Sequence, residues 1–91
     1  MHKINLNNRL SLSVEPHNSK LRFVVHENGN ESVCRIEGKS SIQQFLASDE
    51  ARIFKGRLQL YKYKNEISVE VKGEPAGILS KKEFAELLSQ V

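Results

Sequence analysis

The stretch Leu21–Glu37, LRFVVHENGNESVCRIE, reads as a β-hairpin, and the rest of the chain is placed around it. Its centre, Asn28-Gly29, is the pair that a two-residue type I′ turn selects, because both central residues need positive φ. With that loop the expected partners are Glu27 with Asn30, Val25 with Ser32, Phe23 with Cys34 and Leu21 with Ile36. Side chains alternate along a strand, so Leu21, Phe23, Val25, Cys34 and Ile36 share one apolar face, interrupted only by Ser32 near the turn. The other face then holds Arg22 across from Arg35, Val24 across from Val33 and His26 across from Glu31. A slip of one residue turns Arg35 towards the core, which argues for this register.

On the N-terminal side, Leu10, Leu12 and Val14 alternate with Ser11 and Ser13, as in a half-buried strand over Arg9–Glu15. Glu15-Pro16-His17-Asn18-Ser19 is a turn cluster that returns the chain into the hairpin. Residues 1–8 offer only Ile4 and Leu6, so they are either frayed or an extension of the sheet edge.

On the C-terminal side, Gly38-Lys39-Ser40 breaks the strand. Ser40 or Ser41 is placed to N-cap a helix over Ile42–Ser48, with Ile42, Phe45 and Leu46 on one side. Ile53 and Phe54 follow, expected to tuck against the core. A second hairpin from about Lys55 to Lys72 turns at Lys64-Asn65 and pairs Leu60 with Val69 and Leu58 with Val71. Its other face carries Arg57, Gln59, Tyr61 and Tyr63 opposite Lys72, Glu70, Ser68 and Glu66. Gly73-Glu74-Pro75 ends that strand, and Ala76–Leu79 is a short edge strand or a lead-in. Ser80 and Glu83 have capping-box spacing, and Phe84, Leu87, Leu88 and Val91 mark one face of a terminal helix. The expected order is βββ-α-ββ(β)-α. It describes one α+β domain over residues 1–91, an antiparallel sheet of five to six strands with two helices packed on one face.

Of the 91 residues, 38% are hydrophobic and 27% charged, a balance that suits a folded chain and not a disordered one. No apolar run approaches the roughly 18 residues that span a bilayer, so no membrane partner is expected. The first residues lack the apolar segment of a secretory signal, which points to a cytoplasmic protein. Cys34 is the only cysteine, so no disulfide framework is available, and it is expected as a buried thiol. The net charge of +3 permits nucleic-acid contact without arguing for it.

Signatures of catalysis are absent: there is no Gly-rich phosphate loop, no G-x-S-x-G and no H-E-x-x-H. His2, His17 and His26 fall in the tail, a turn and a strand end, so neither a metal nor another cofactor is expected. Asp49 and Glu50 are neighbours at a helix end, an arrangement that does not aim two carboxylates at one substrate. The reading is therefore a non-enzymatic protein.

What remains is the open sheet face, expected to present Arg22, Arg35, Arg57 and Lys72 around Tyr61 and Tyr63. Tyrosine and arginine suit a protein hot spot, which gives the first reading: an adaptor or inhibitor that docks on a protein or nucleoprotein partner. The alternative is direct single-stranded nucleic-acid binding, with the cations on phosphates and the tyrosines stacked on bases. Self-association through this face or an edge strand is compatible with either. In size and in its lack of catalytic residues the chain resembles, in general character, small phage- or mobile-element-encoded inhibitors such as anti-CRISPR proteins. No motif carries that resemblance. It implies an inhibitor and brings no residue role with it.

Overall fold

The computed structural model describes residues 2–49, 51–54 and 56–91; the side chain of His2 and the Glu50 half of the carboxylate pair lie outside them. Eight strands and two helices follow in order: β1 (His2–Asn5), β2 (Leu10–His17), β3 (Lys20–Glu27), β4 (Asn30–Gly38), α1 (Lys39–Ala47), β5 (Arg52–Ile53), β6 (Leu58–Tyr63), β7 (Glu66–Val71), β8 (Glu74–Ser80) and α2 (Lys81–Ser89). The strands form two four-stranded antiparallel sheets, β1-β2-β3-β4 and β5-β6-β7-β8. The expected single sheet of five to six strands, with both helices on one face, is thus corrected. Alternation reveals each hairpin but not whether one hairpin pairs with the next. Here α1 separates β4 from β5, and each meander closes its apolar face against the other.

Each half repeats the order ββββα, and each helix packs on the last strand of its own half and the first strand of the other. One core results. Leu12, Val14, Phe23 and Val25 of the first sheet join Leu58, Leu60, Ile67 and Val69 of the second, with Ile42 and Phe45 of α1 and Phe84 and Leu87 of α2. Phe23 lies at its centre, with ring centroids 5.2 Å from Phe54 and 6.1 Å from Phe84.

Near the N-terminus β1 pairs with β2 at the sheet edge, Ile4 opposite Leu12. Beyond it the chain turns onto β8, where Asn7 Nδ2 donates to the Ala76 carbonyl at 2.7 Å. A Cβ on Gly77 would meet the Leu6 carbonyl oxygen at 2.7 Å, so this close approach requires glycine. Residues 76–79, read as a short edge strand or lead-in, belong to the seven-residue β8.

The central hairpin turns as expected, with Asn28 at φ 52° and Gly29 at φ 85°, and Glu27 faces Asn30. The register then shifts. His26 faces Glu31, but Val25 faces Val33, Val24 faces Cys34, Phe23 faces Arg35 and Arg22 faces Ile36. Ser32 is the extra residue of a β-bulge, and beyond it the strand presents its opposite face. Val33 is buried, whereas Cys34 is exposed and Ile36 is 41% exposed, the reverse of the expected arrangement. The like-charged pair of Arg22 and Arg35 does not form. Arg35 turns inward without being fully buried: its guanidinium carbon lies 5.9 Å from the Phe54 centroid and Nη2 3.6 Å from Glu37. The bulge absorbs the one polar residue of the expected core face, and cation–π and ionic contacts support the inward arginine.

This register has a chemical consequence. An exposed thiol is open to reagents, so Cys34 should be alkylated by maleimide in the native protein about as fast as in urea. Deleting Ser32 should leave the chain folded with Cys34 still reactive, because Val33 and later residues keep their partners. A native thiol that reacts only after unfolding would restore the bulge-free register.

The second hairpin follows its expectation, with Leu60 opposite Val69, Leu58 opposite Val71 and Lys64 in the turn at φ 56°. Its proposed start, Lys55, lies outside the described residues. The capping box of α2 is formed: Ser80 Oγ accepts from the Glu83 amide and Glu83 Oε1 from the Ser80 amide, both at 2.9 Å. Helix α1 differs. It begins at Lys39 with Gly38 as N-cap and no side-chain cap, so Ser40 and Ser41 lie inside its first turn. Strand β4 runs directly into the helix and leaves no loop in which a serine could cap it.

Candidate functional site

The strands of the second sheet set a row of side chains in register: Arg52, Tyr61, Ser68 and Ile78 face one another across β5, β6, β7 and β8. The parallel row of Ile53, Leu60, Val69 and Gly77 lies on the core side, so alternation directs the first row outward. Tyr63, two residues on from Tyr61, shares this face opposite Glu66. Tyr63 is 71% and Ile78 61% exposed. Tyr61 is half-buried and held in place: its hydroxyl donates to Gln59 Oε1 at 2.6 Å, and Gln59 Nε2 donates to the Gly56 carbonyl at 3.0 Å.

The six residues singled out from the sequence do not share one face. Tyr61 and Tyr63 stand together on the second sheet. Arg22 lies on the outer face of the first sheet, hydrogen-bonded to Glu15 Oε1 at 2.6 Å and also to Glu31. The hydrogen bond to Glu15 is the main cause that raises its pKa above the ordinary arginine value; desolvation opposes the rise, and Glu31 adds to it. Arg35 is turned inward by the bulge. Arg57 and Lys72 meet at one end of the β6–β7 pair, where the Lys72 amide donates to the Arg57 carbonyl at 2.6 Å. Sequence reasoning missed Arg52 and Ile78 because β5 and the full length of β8 were not recognised. It also passed over Lys62, whose period with Leu58 and Leu60 places it on the core side.

Comparison with protein-family models, curated proteins and solved structures finds no match. The chemistry must be read from the side chains themselves. Ser13 Oγ and His26 Nε2 lie 3.2 Å apart, the spacing of a nucleophile and its base. Ser13 is completely buried, however, so its oxygen cannot reach a substrate, and the contact satisfies a polar group beneath the sheet surface. Among the described residues no three His, Cys, Asp or Glu side chains converge as metal ligands, and no helix is long and apolar enough to cross a membrane.

Proposed function

We propose that the protein is a non-enzymatic binding protein, an adaptor or inhibitor, and that it docks on a protein partner through the outer face of its second sheet. The observation that carries this reading is the exposure of Tyr63 and Ile78 beside Tyr61 and Arg52, on four hydrogen-bonded strands. Large apolar groups held on a rigid frame lose little entropy when covered, and covering them gains about 25 cal/mol per Å² of apolar area. Tyrosine and arginine around an aliphatic anchor, ringed by polar groups, is the usual composition of a hot spot.

Charge placement favours protein over nucleic acid. Glu66 and Glu70 share the tyrosine face, whereas Arg22 is committed to two carboxylates on the other sheet. Arg52, opposite Tyr61, and Lys64, whose Nζ lies 5.5 Å from the Tyr63 centroid, do stand beside the rings, but Glu66 and Glu70 offset them. A phosphate platform needs an excess of cations beside its stacking rings. Tagged wild type and the Tyr63→Ala and Ile78→Asp variants, checked for wild-type circular dichroism, should be used for affinity purification. The expected result is a stoichiometric, nuclease-resistant protein complex that each variant weakens by roughly tenfold, about 1.4 kcal/mol. Recovery of nucleic acid alone, lost on nuclease treatment, would overturn the proposal.

A further inference from the structure

Among the described residues the two sheets approach each other along two edges, one bridged by a connecting segment and one bordered by a wider cleft. At the first, the β1–β2 connection lies on β8, with Leu6 against Gly77 and Asn7 bonded to the Ala76 carbonyl. At the second, β4 approaches the start of β6 and leaves an open cleft of about 490 Å³, lined by Glu31, Ser32, Val33, Cys34, Arg35, Arg57 and Leu58. Five of these are consecutive in β4. β4 is the last strand of its sheet, so its outer edge borders this space. β4 pairs only with β3 among the described strands. β5 reaches no further along β6 than Leu60 and Tyr61, so it does not occupy this space.

We infer that this cleft is a docking groove for an extended, acidic segment of another protein, added as a further strand along β4. The inference is independent of the sheet-face reading and uses a different surface. Residues 31–35 offer about 14 Å of strand edge at roughly 3.4 Å per residue, enough to pair four or five residues of a partner. The charge in the cleft selects its chemistry. Glu31 is bound to Arg22 and Arg35 lies against Glu37, while Arg57 is exposed and makes no ion pair with a described carboxylate. A carboxylate on the incoming strand would meet Arg57. The bulge at Ser32 and the charges along β4 guard the edge against indiscriminate pairing, so a partner must supply matching charge.

The test is a titration of the ¹⁵N-labelled full chain with a capped seven-residue peptide that alternates threonine and valine around a central glutamate. A central-lysine peptide and a peptide N-methylated throughout are the controls. Saturable shifts are expected at the amides of Glu31–Arg35 and Arg57–Leu58, with slowed maleimide alkylation of Cys34. Both controls should fail to bind, and Arg57→Glu should weaken binding at least tenfold with an unchanged melting temperature. Absence of a saturable shift at millimolar peptide, shifts confined to the Tyr63 face, or affinity indifferent to Arg57→Glu would overturn it. So would concentration-dependent dimerisation through β4 in sedimentation runs without peptide, which would assign the edge to a second copy.

Discussion

Phe23→Ala is expected to lower stability by about 3–5 kcal/mol, the usual cost of deleting a fully buried phenylalanine from a packed core. At roughly 0.1 kcal/mol per residue, a domain of this length has about 9 kcal/mol in total, so near half would be lost. The melting temperature should fall by roughly 20 °C. The position explains the size of the effect. Phe23 belongs to the first sheet, Phe54 lies between β5 and β6 of the second and Phe84 sits on α2, so the Phe23 ring joins both sheets and a helix. Thermal and urea denaturation followed by circular dichroism would measure it. Pairing the change with Phe54→Ala should show non-additivity of about 1 kcal/mol, since the rings are in contact. A loss below about 1 kcal/mol, outside the range expected for a buried phenylalanine, would mean that the sheets do not close on this ring.

The second large effect is expected at Lys62, a lysine pointing into the protein. Its Nζ donates to the Ser48 carbonyl at 2.6 Å and to the Phe45 carbonyl, and lies 4.9 Å from the Phe45 ring centroid. Helix α1 ends there with no basic residue in its own last turn. The last carbonyls of a helix lack partners within it and carry partial negative charge, so the ammonium from β6 supplies both hydrogen bonds and the opposing charge. Lys62→Met keeps the stem over the ring and removes only the ammonium. It should cost about 2 kcal/mol, since hydrogen bonds to a charged group contribute roughly 1.5–3 kcal/mol. The melting temperature should then fall by about 10 °C. Amide exchange should accelerate first along residues 39–47. A shift of less than about 2 °C would show that water replaces the ammonium without loss.

Part of this architecture could be read directly from the chain. Asn28-Gly29 specified its turn because few residues tolerate positive φ twice in succession. Ser80 and Glu83 specified the start of α2 because their side chains complete bonds that the helix leaves open. The Leu58–Val71 and Leu60–Val69 pairs followed from simple alternation. The errors came where alternation is broken. At Ser32 an inserted residue reversed the faces of Cys34, Arg35 and Ile36, and with them the expected cluster of arginines. The candidate surface was legible only in its tyrosines. Its Arg52 comes from a two-residue strand, and its Ile78 from a strand that sequence pattern left undecided.

The sequence by itself therefore determined the local elements: turns, caps, hairpins and the apolar stripe of the terminal helix. Those depend on φ preferences and on hydrogen bonds within a few residues, which neighbouring residues decide. Tertiary structure alone decided that there are two sheets, that Lys62 caps a helix from a distant strand, and how the edges of the two sheets meet. These features arise from packing between segments far apart in the chain. The energy of burying one face against another, or of tolerating a bulge to do so, is not encoded in any single stretch.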